Sequence, residues 1–259
     1  MMNAISDIIL ALDFDGVICD SLEECLVSTW NAWHRLRGSD EWAETTSSIP
    51  MGIAHRFRRN RHFARNAPEF WCIIHWAITE ETDIPQDQYP ALVAEHAASM
   101  AAFEPVFFES RHRLSTADPE QWLALHTMYP EFLDGWDDLR SVYPVYIVTT
   151  KDLKSVRMFN RHWSLGIPDD HLWTKERALP KADMIRHIAF RHHLPMHRIF
   201  FVDDHPDIGR SVSATEANCF WASWGFLGAV STGIITGGST ALQRIDRLAD
   251  LRPFLLESS

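Results

Sequence analysis

Near the amino terminus, the run Asp13-Phe14-Asp15-Gly16-Val17 holds two carboxylates two positions apart. Like charges that close are costly unless a cation sits between or beside them. Magnesium, which takes oxygen ligands and keeps several waters, meets that need without an all-protein cage. Acidic turns are also common without any function, so the pair takes its meaning from what the rest of the chain brings to it. Much further along, Ile199-Phe200-Phe201-Val202 runs into Asp203-Asp204-His205-Pro206-Asp207, adding three carboxylates. Helix capping accounts for one of them, Asp204 or Asp207, but not for three.

Two other residue types suit the same chemistry. In Ile147-Val148-Thr149-Thr150-Lys151 a pair of hydroxyls follows an apolar run. Thr149, with Thr150 beside it, is a candidate ligand for an anion, although a threonine there also serves as an ordinary turn or capping residue. The chain has only four lysines: Lys151, Lys154, Lys175 and Lys181. Lys181 follows Leu179-Pro180 and opens a helical pattern, so its amine lies at a helix amino terminus, where anions are favoured. A lysine there is often simply solvated, and Lys175 is a second candidate.

These residues need elements to position them. Residues 8–12, all apolar and without helical period, read as a strand buried on both faces that stops at Asp13. After Asp20, Leu22, Cys25, Leu26, Trp30 and Trp33 fall at helical spacing, and Ser21 with Glu24 offers a capping box. Residues 38–130 carry helical patches, 69–78 and 89–103, without a convincing strand. Strands at 142–148, 198–202 and 218–221 then alternate with helices at 153–163 and 181–193, and a terminal helix is expected from about Ser239. Such alternation predicts an α/β, doubly wound, Rossmann-like parallel sheet with its ligand site at the carboxyl ends of the strands. Each candidate residue except Lys175 follows one of these strands or starts one of these helices. The expected division is a core of residues 1–19 and 131–259 with a helical insert at 20–130.

In this order and context the segments resemble the four motifs of the haloacid dehalogenase superfamily. Asp-Phe-Asp-Gly-Val is similar to the first, Ile-Val-Thr-Thr to the second, Lys181 to the third and Val-Asp-Asp-His-Pro-Asp to the fourth. The likeness covers about residues 6–20 and 130–250. It implies a helical cap between the first two motifs, as in phosphoglycolate phosphatase-like and beta-phosphoglucomutase-like members. It also implies a magnesium-dependent phosphatase in which Asp13 forms an aspartyl phosphate and Asp15 serves as acid and then base. Thr149, Thr150 and Lys181 would bind the phosphoryl oxygens. Asp13, Asp203 and the main-chain carbonyl of Asp15 would hold the metal, with Asp204 and Asp207 as further candidates. The family often has Gly before the first Asp of motif four, where this chain has Val202-Asp203-Asp204, so Asp203 and Asp204 are both candidates for the main ligand. A phosphomutase, or a catalytically idle binding protein of the same fold, fits the same motifs. Members that displace halide resemble the first motif without its second Asp, so Asp15 argues for phosphate.

The remaining sequence narrows the classes. A formal net charge of -11 disfavours nucleic acid and anionic membranes as partners, since both require a positive field. A small phosphorylated metabolite is still compatible, bound in a local basic pocket. Met1 to Asp7 does not read as a secretion signal, and no stretch approaches the roughly 18 apolar residues of a membrane span, so a cytoplasmic protein is expected. Cys19, Cys25, Cys72 and Cys219 are scattered and read as buried free thiols. Within the insert, Arg56, Arg58, Arg59, Arg61 and Arg65 form a basic island. On one helix Arg58, Arg61 and Arg65 would share a face, with Arg58 a candidate for a second anionic group of the substrate; solvated pairing with acids is the ordinary alternative. Trp30, Trp33, Trp42, Trp71, Trp76 and Trp122 suit core packing first, and a pocket or homodimer surface second.

Overall fold

The computed structural model describes residues 7–226 and 242–258. The chain divides into two compact units, Met1–Asp20 with Met128–Ser259, and Ser21–Thr127.

The Ser21–Thr127 unit is built from helices α1 (Leu22–Leu36), α2 (Met51–Asn60), α3 (Phe70–Thr79), α4 (Tyr89–Glu95), α5 (Ala97–Ala117) and α6 (Pro119–Leu123). The helical spacing of Cys25, Leu26, Trp30 and Trp33 puts all four in the core, joined by Trp71 and Trp122. The expected capping box does not form. Ser21 makes no side-chain cap bond. Glu24 is buried instead, accepting from Arg111 Nε and Nη2 on α5 at 2.8 and 2.7 Å and from the Ser28 hydroxyl at 2.5 Å. A bidentate guanidinium satisfies a buried carboxylate better than a single backbone N–H does.

The basic island also differs from expectation. α2 stops at Asn60 and the chain tightens into a 3-10 turn at Arg61–Phe63, so Arg58, Arg61 and Arg65 do not line one α-helical face. Arg58 donates to both oxygens of Glu23 at 2.7 and 2.6 Å. Arg59 pairs with Asp83 at 2.7 Å and Arg65 with Glu69 at 2.8 Å. Arg61 and Arg56 donate to the carbonyls of Ala64 and Ala77. The arginines thus tie neighbouring turns of this unit together.

The other unit carries a six-stranded parallel sheet: β1 (Ile9–Leu12), β2 (Val145–Val148), β3 (Leu172–Trp173), β4 (Ile199–Asp203), β5 (Asn218–Ala222) and β6 (Gln243–Ile245). Their order is β3-β2-β1-β4-β5-β6, the parallel α/β, Rossmann-like sheet that the alternation predicts. β1 lies between β2 and β4, with Leu12 opposite Ile147 on one side and Val202 on the other. The strand order reverses there, which places the crevice for a ligand just past Leu12. Ile9, Ala11, Tyr146, Val148 and Phe201 pack with Ile185 and Ile188 in one apolar core.

Helices α7 (Pro130–Val142), α8 (Leu153–His162), α9 (Lys181–Arg191), α10 (Pro206–Ser213) and α11 (Arg252–Glu257) complete the unit. The strand expected from Val142 begins only at Val145, because α7 occupies the chain up to Val142. α7 kinks at Gly135, whose φ of 115° and close approach to Ala249 exclude a side chain. The terminal helix is also shorter than expected: β6 comes first, and α11 starts only at Arg252. Ser239 itself lies outside the described residues. All four cysteines are buried and none is in a disulfide, and no helix among the described residues is long and apolar enough to cross a membrane.

Candidate active site

Past Leu12, the Asp13 N–H donates to Val202 O at 2.9 Å, continuing the β1–β4 ladder by one residue. Asp13 is therefore fixed to the sheet and not to a mobile loop tip. Phe14 anchors the turn from below: it is fully buried, 5.2 Å from the Phe159 ring centroid and 6.5 Å from that of Trp163. Gly16 turns the chain with a φ of 89°, and a Cβ there would lie 2.3 Å from the Asp204 carboxyl group. Glycine is required both by the conformation and by that close approach.

Lys181, the first residue of α9, places Nζ 2.7 Å from Asp13 Oδ2 and 2.8 Å from Asp203 Oδ2. Asp203 ends β4, and its other oxygen accepts from the His205 N–H at 2.8 Å. Asp204 is held by its carbonyl, which accepts from the Trp221 indole at 2.9 Å, and by its carboxylate, which accepts from the Phe226 N–H at 3.0 Å. Asp13, Asp203 and Asp204 are all buried, each with a carboxylate oxygen within 4.8 Å of the others. Burial pushes the Asp13 carboxyl up to about 6 against the lowering pull of Lys181, and the neighbouring Asp203 and Asp15 charges add to the rise. Burial alone would lower Lys181, but attraction to Asp13 and Asp203 outweighs it and keeps the amine charged.

Asp15 is arranged differently. Its carboxylate, partly exposed, accepts from Lys151 Nζ at 2.9 and 3.3 Å, and the Lys151 side chain is wholly buried. In the sequence Lys151 stands out only as one of four lysines. Thr149 is buried at the end of β2, its N–H donating to Trp173 O at 2.9 Å and its hydroxyl accepting from the Lys151 N–H at 3.2 Å. Thr150 is exposed beside it.

Three other candidates have surroundings of their own. Asp207 is exposed on α10 and pairs with Arg210 at 2.5 Å. The cap of α10 is neither Asp204 nor Asp207 but His205, whose Nδ1 accepts from the Asp207 N–H. Arg58 belongs to the Ser21–Thr127 unit and is engaged with Glu23. Lys175 lies in the 3-10 turn Lys175–Arg177.

No protein-family model matches the chain, and no curated protein matches it. Solved structures do. A "predicted phosphatase" from Clostridium acetobutylicum superposes with a TM-score of 0.58 at 13% identity, covering 96% of this chain and 98% of the other. A "predicted phosphoglycolate phosphatase" from Haemophilus somnus gives 0.57 at 14% identity, covering 97% and 99%. A 2-haloacid dehalogenase from Pseudomonas syringae gives 0.50 at 14% identity, covering 96% and 98%. The chain therefore has the fold of the haloacid dehalogenase-like hydrolases.

Proposed function

We propose that the protein is a magnesium-dependent phosphatase that hydrolyses a small phosphorylated metabolite through an aspartyl phosphate on Asp13. The observation that carries this reading is the separation of the two aspartates: Asp13 lies within the buried carboxylate cluster on Lys181, whereas Asp15 lies outside it on Lys151. A nucleophile must be ionised and aimed, while an acid and base must exchange protons, so two carboxylates in two environments suit two roles.

Asp13, Asp203 and Asp204 offer only hard oxygen donors that lie close together, and a single amine bridges two of the three buried carboxylates, so these residues fit a magnesium ion. Bound there, the ion would offset the charge of the phosphoryl group as the nucleophile approaches. In the first step a carboxylate oxygen of Asp13 bonds to phosphorus as the ester P–O bond breaks, and Asp15 gives its proton to the departing oxygen. In the second, Asp15 takes a proton from water, the water oxygen bonds to phosphorus, and the bond to Asp13 breaks to release inorganic phosphate. Lys181 holds Asp13 in line, and Thr149 donates to a non-bridging oxygen. Halide displacement has no leaving oxygen to protonate, so the retention of Asp15 supports phosphate over halide.

The test is release of phosphate from an aryl phosphate, with and without magnesium, by the wild type and Asp13→Asn. Magnesium-stimulated release by the wild type alone is expected. Equal release by both proteins, or chloride released from a 2-chloroacid in place of phosphate, would overturn the reading.

A further inference from the structure

Lys151 is the group that the mechanism above leaves unused. Its ammonium lies about as deep as any charge in the molecule: the side chain has no exposed surface, and its Nζ lies 5.7 and 5.5 Å from the ring centroids of Phe14 and Phe159. Its backbone is pinned on both sides, the N–H donating to the Thr149 hydroxyl and the carbonyl accepting from the Lys175 N–H at 3.2 Å. A buried ammonium is costly unless it meets a carboxylate in good geometry. Here it meets both oxygens of Asp15, 136 positions away in sequence. Lysine is flexible in water, but packed this way it offers Asp15 a donor at a fixed point.

We propose that Lys151 is a positioning residue for Asp15, fixing the direction of its carboxylate for proton exchange while Lys181 fixes Asp13. This rests on the phosphatase reading and deepens it: two lysines, one on each aspartate, sort the pair into acid-base and nucleophile. The ordinary alternative is that the Lys151–Asp15 pair merely fastens the β1 turn to the β2 turn. The alternatives differ in what a loss of Lys151 does when Asp15 has already lost its acid-base function.

The experiment is a double-mutant cycle on the full chain. Lys151→Met and Lys151→Gln are each made in the wild type and in Asp15→Asn, with an aryl phosphate as substrate because its good leaving group keeps the Asp15→Asn protein measurable. In the wild-type background each is expected to lower kcat about 10-fold, no more than the loss of Asp15 itself, with KM little changed. In Asp15→Asn the same changes are expected to alter kcat within about twofold. Lys151→Arg, which keeps the charge, should restore part of the lost kcat. Should Lys151→Met fail to fold, as melting would show, the Lys151→Gln and Lys151→Arg arms carry the same comparison. Equal losses in both backgrounds, or losses that follow melting temperature and not the presence of Asp15, would overturn the proposal and leave the phosphatase reading standing. A wild type that releases no phosphate would overturn both, and that control is read first.

Discussion

Among the described residues, two of the places where charge is buried are solved differently. In the helical unit, Glu24 accepts two hydrogen bonds from Arg111 and a third from Ser28, with the Cys25 thiol at 3.8 Å and the buried His126 Nε2 at 3.9 Å also against it. In the sheet unit, Asp13, Asp203 and Asp204 crowd together with Lys181 bridging two of them, and Asp13 is pushed up to about 6. A matched pair needs nothing further and acts as structure. A cluster of buried carboxylates is held at a cost, and such sites are where a ligand or cation is expected to complete the arrangement.

The largest effect should come from the carboxylate cluster. Asp13→Asn is expected to lower turnover by at least about 10,000-fold, the scale of losing a nucleophile. It should not lower the melting temperature of the metal-free protein, because it removes a charge the site holds unfavourably. Steady-state kinetics and thermal melting check both halves. The matched pair should behave in the opposite sense: Arg111→Met strands Glu24 and is expected to cost about 3–5 kcal/mol of stability. Replacing both partners, Glu24→Leu with Arg111→Met, should recover most of that loss in denaturant unfolding. If Arg111→Met left stability unchanged, the contrast would break.

Smaller effects sharpen the picture inside the site. Asp15→Ala should slow hydrolysis of an alkyl phosphate about 100-fold and of an aryl phosphate less, because a good leaving oxygen needs no proton, while magnesium affinity changes little. The pH dependence follows from Asp13. A carboxyl raised from 3.8 to about 6 contributes stability to the metal-free protein that is fully present below 3.8 and lost as pH rises through about 6. Magnesium competes with that proton, so its affinity should fall as pH drops below about 6, measurable by calorimetry in buffers of differing protonation enthalpy.

Much of this was legible in the sequence because buried parallel strands are short apolar runs that end abruptly. Residues 8–12 and 199–202 announced β1 and β4, and with them the positions of Asp13 and Asp203. What escaped is equally physical. β3 has only two residues and β6 reads Gln-Arg-Ile, so neither shows a period. The Ser21–Glu24 signature was present, but a partner on α5, distant in sequence, claimed Glu24 for the core. Arg58 and Asp207 matched expected roles in type and spacing, yet Glu23 and Arg210 engage them, and spacing alone does not reveal a competing partner. Lys151 was hidden for the same reason: nothing local says that its side chain turns inward to Asp15.

The central claim is that Asp13 carries the phosphoryl group. The direct measurement is a rapid acid quench of turnover with a radiolabelled phosphate ester, followed by peptide mapping, in the wild type, Asp15→Asn and Asp13→Asn. Label is expected on the peptide containing Asp13, more of it in Asp15→Asn, where breakdown of the intermediate is slowed, and none in Asp13→Asn. Phosphate release by the wild type with no label on that peptide, or label that persists in Asp13→Asn, would contradict it.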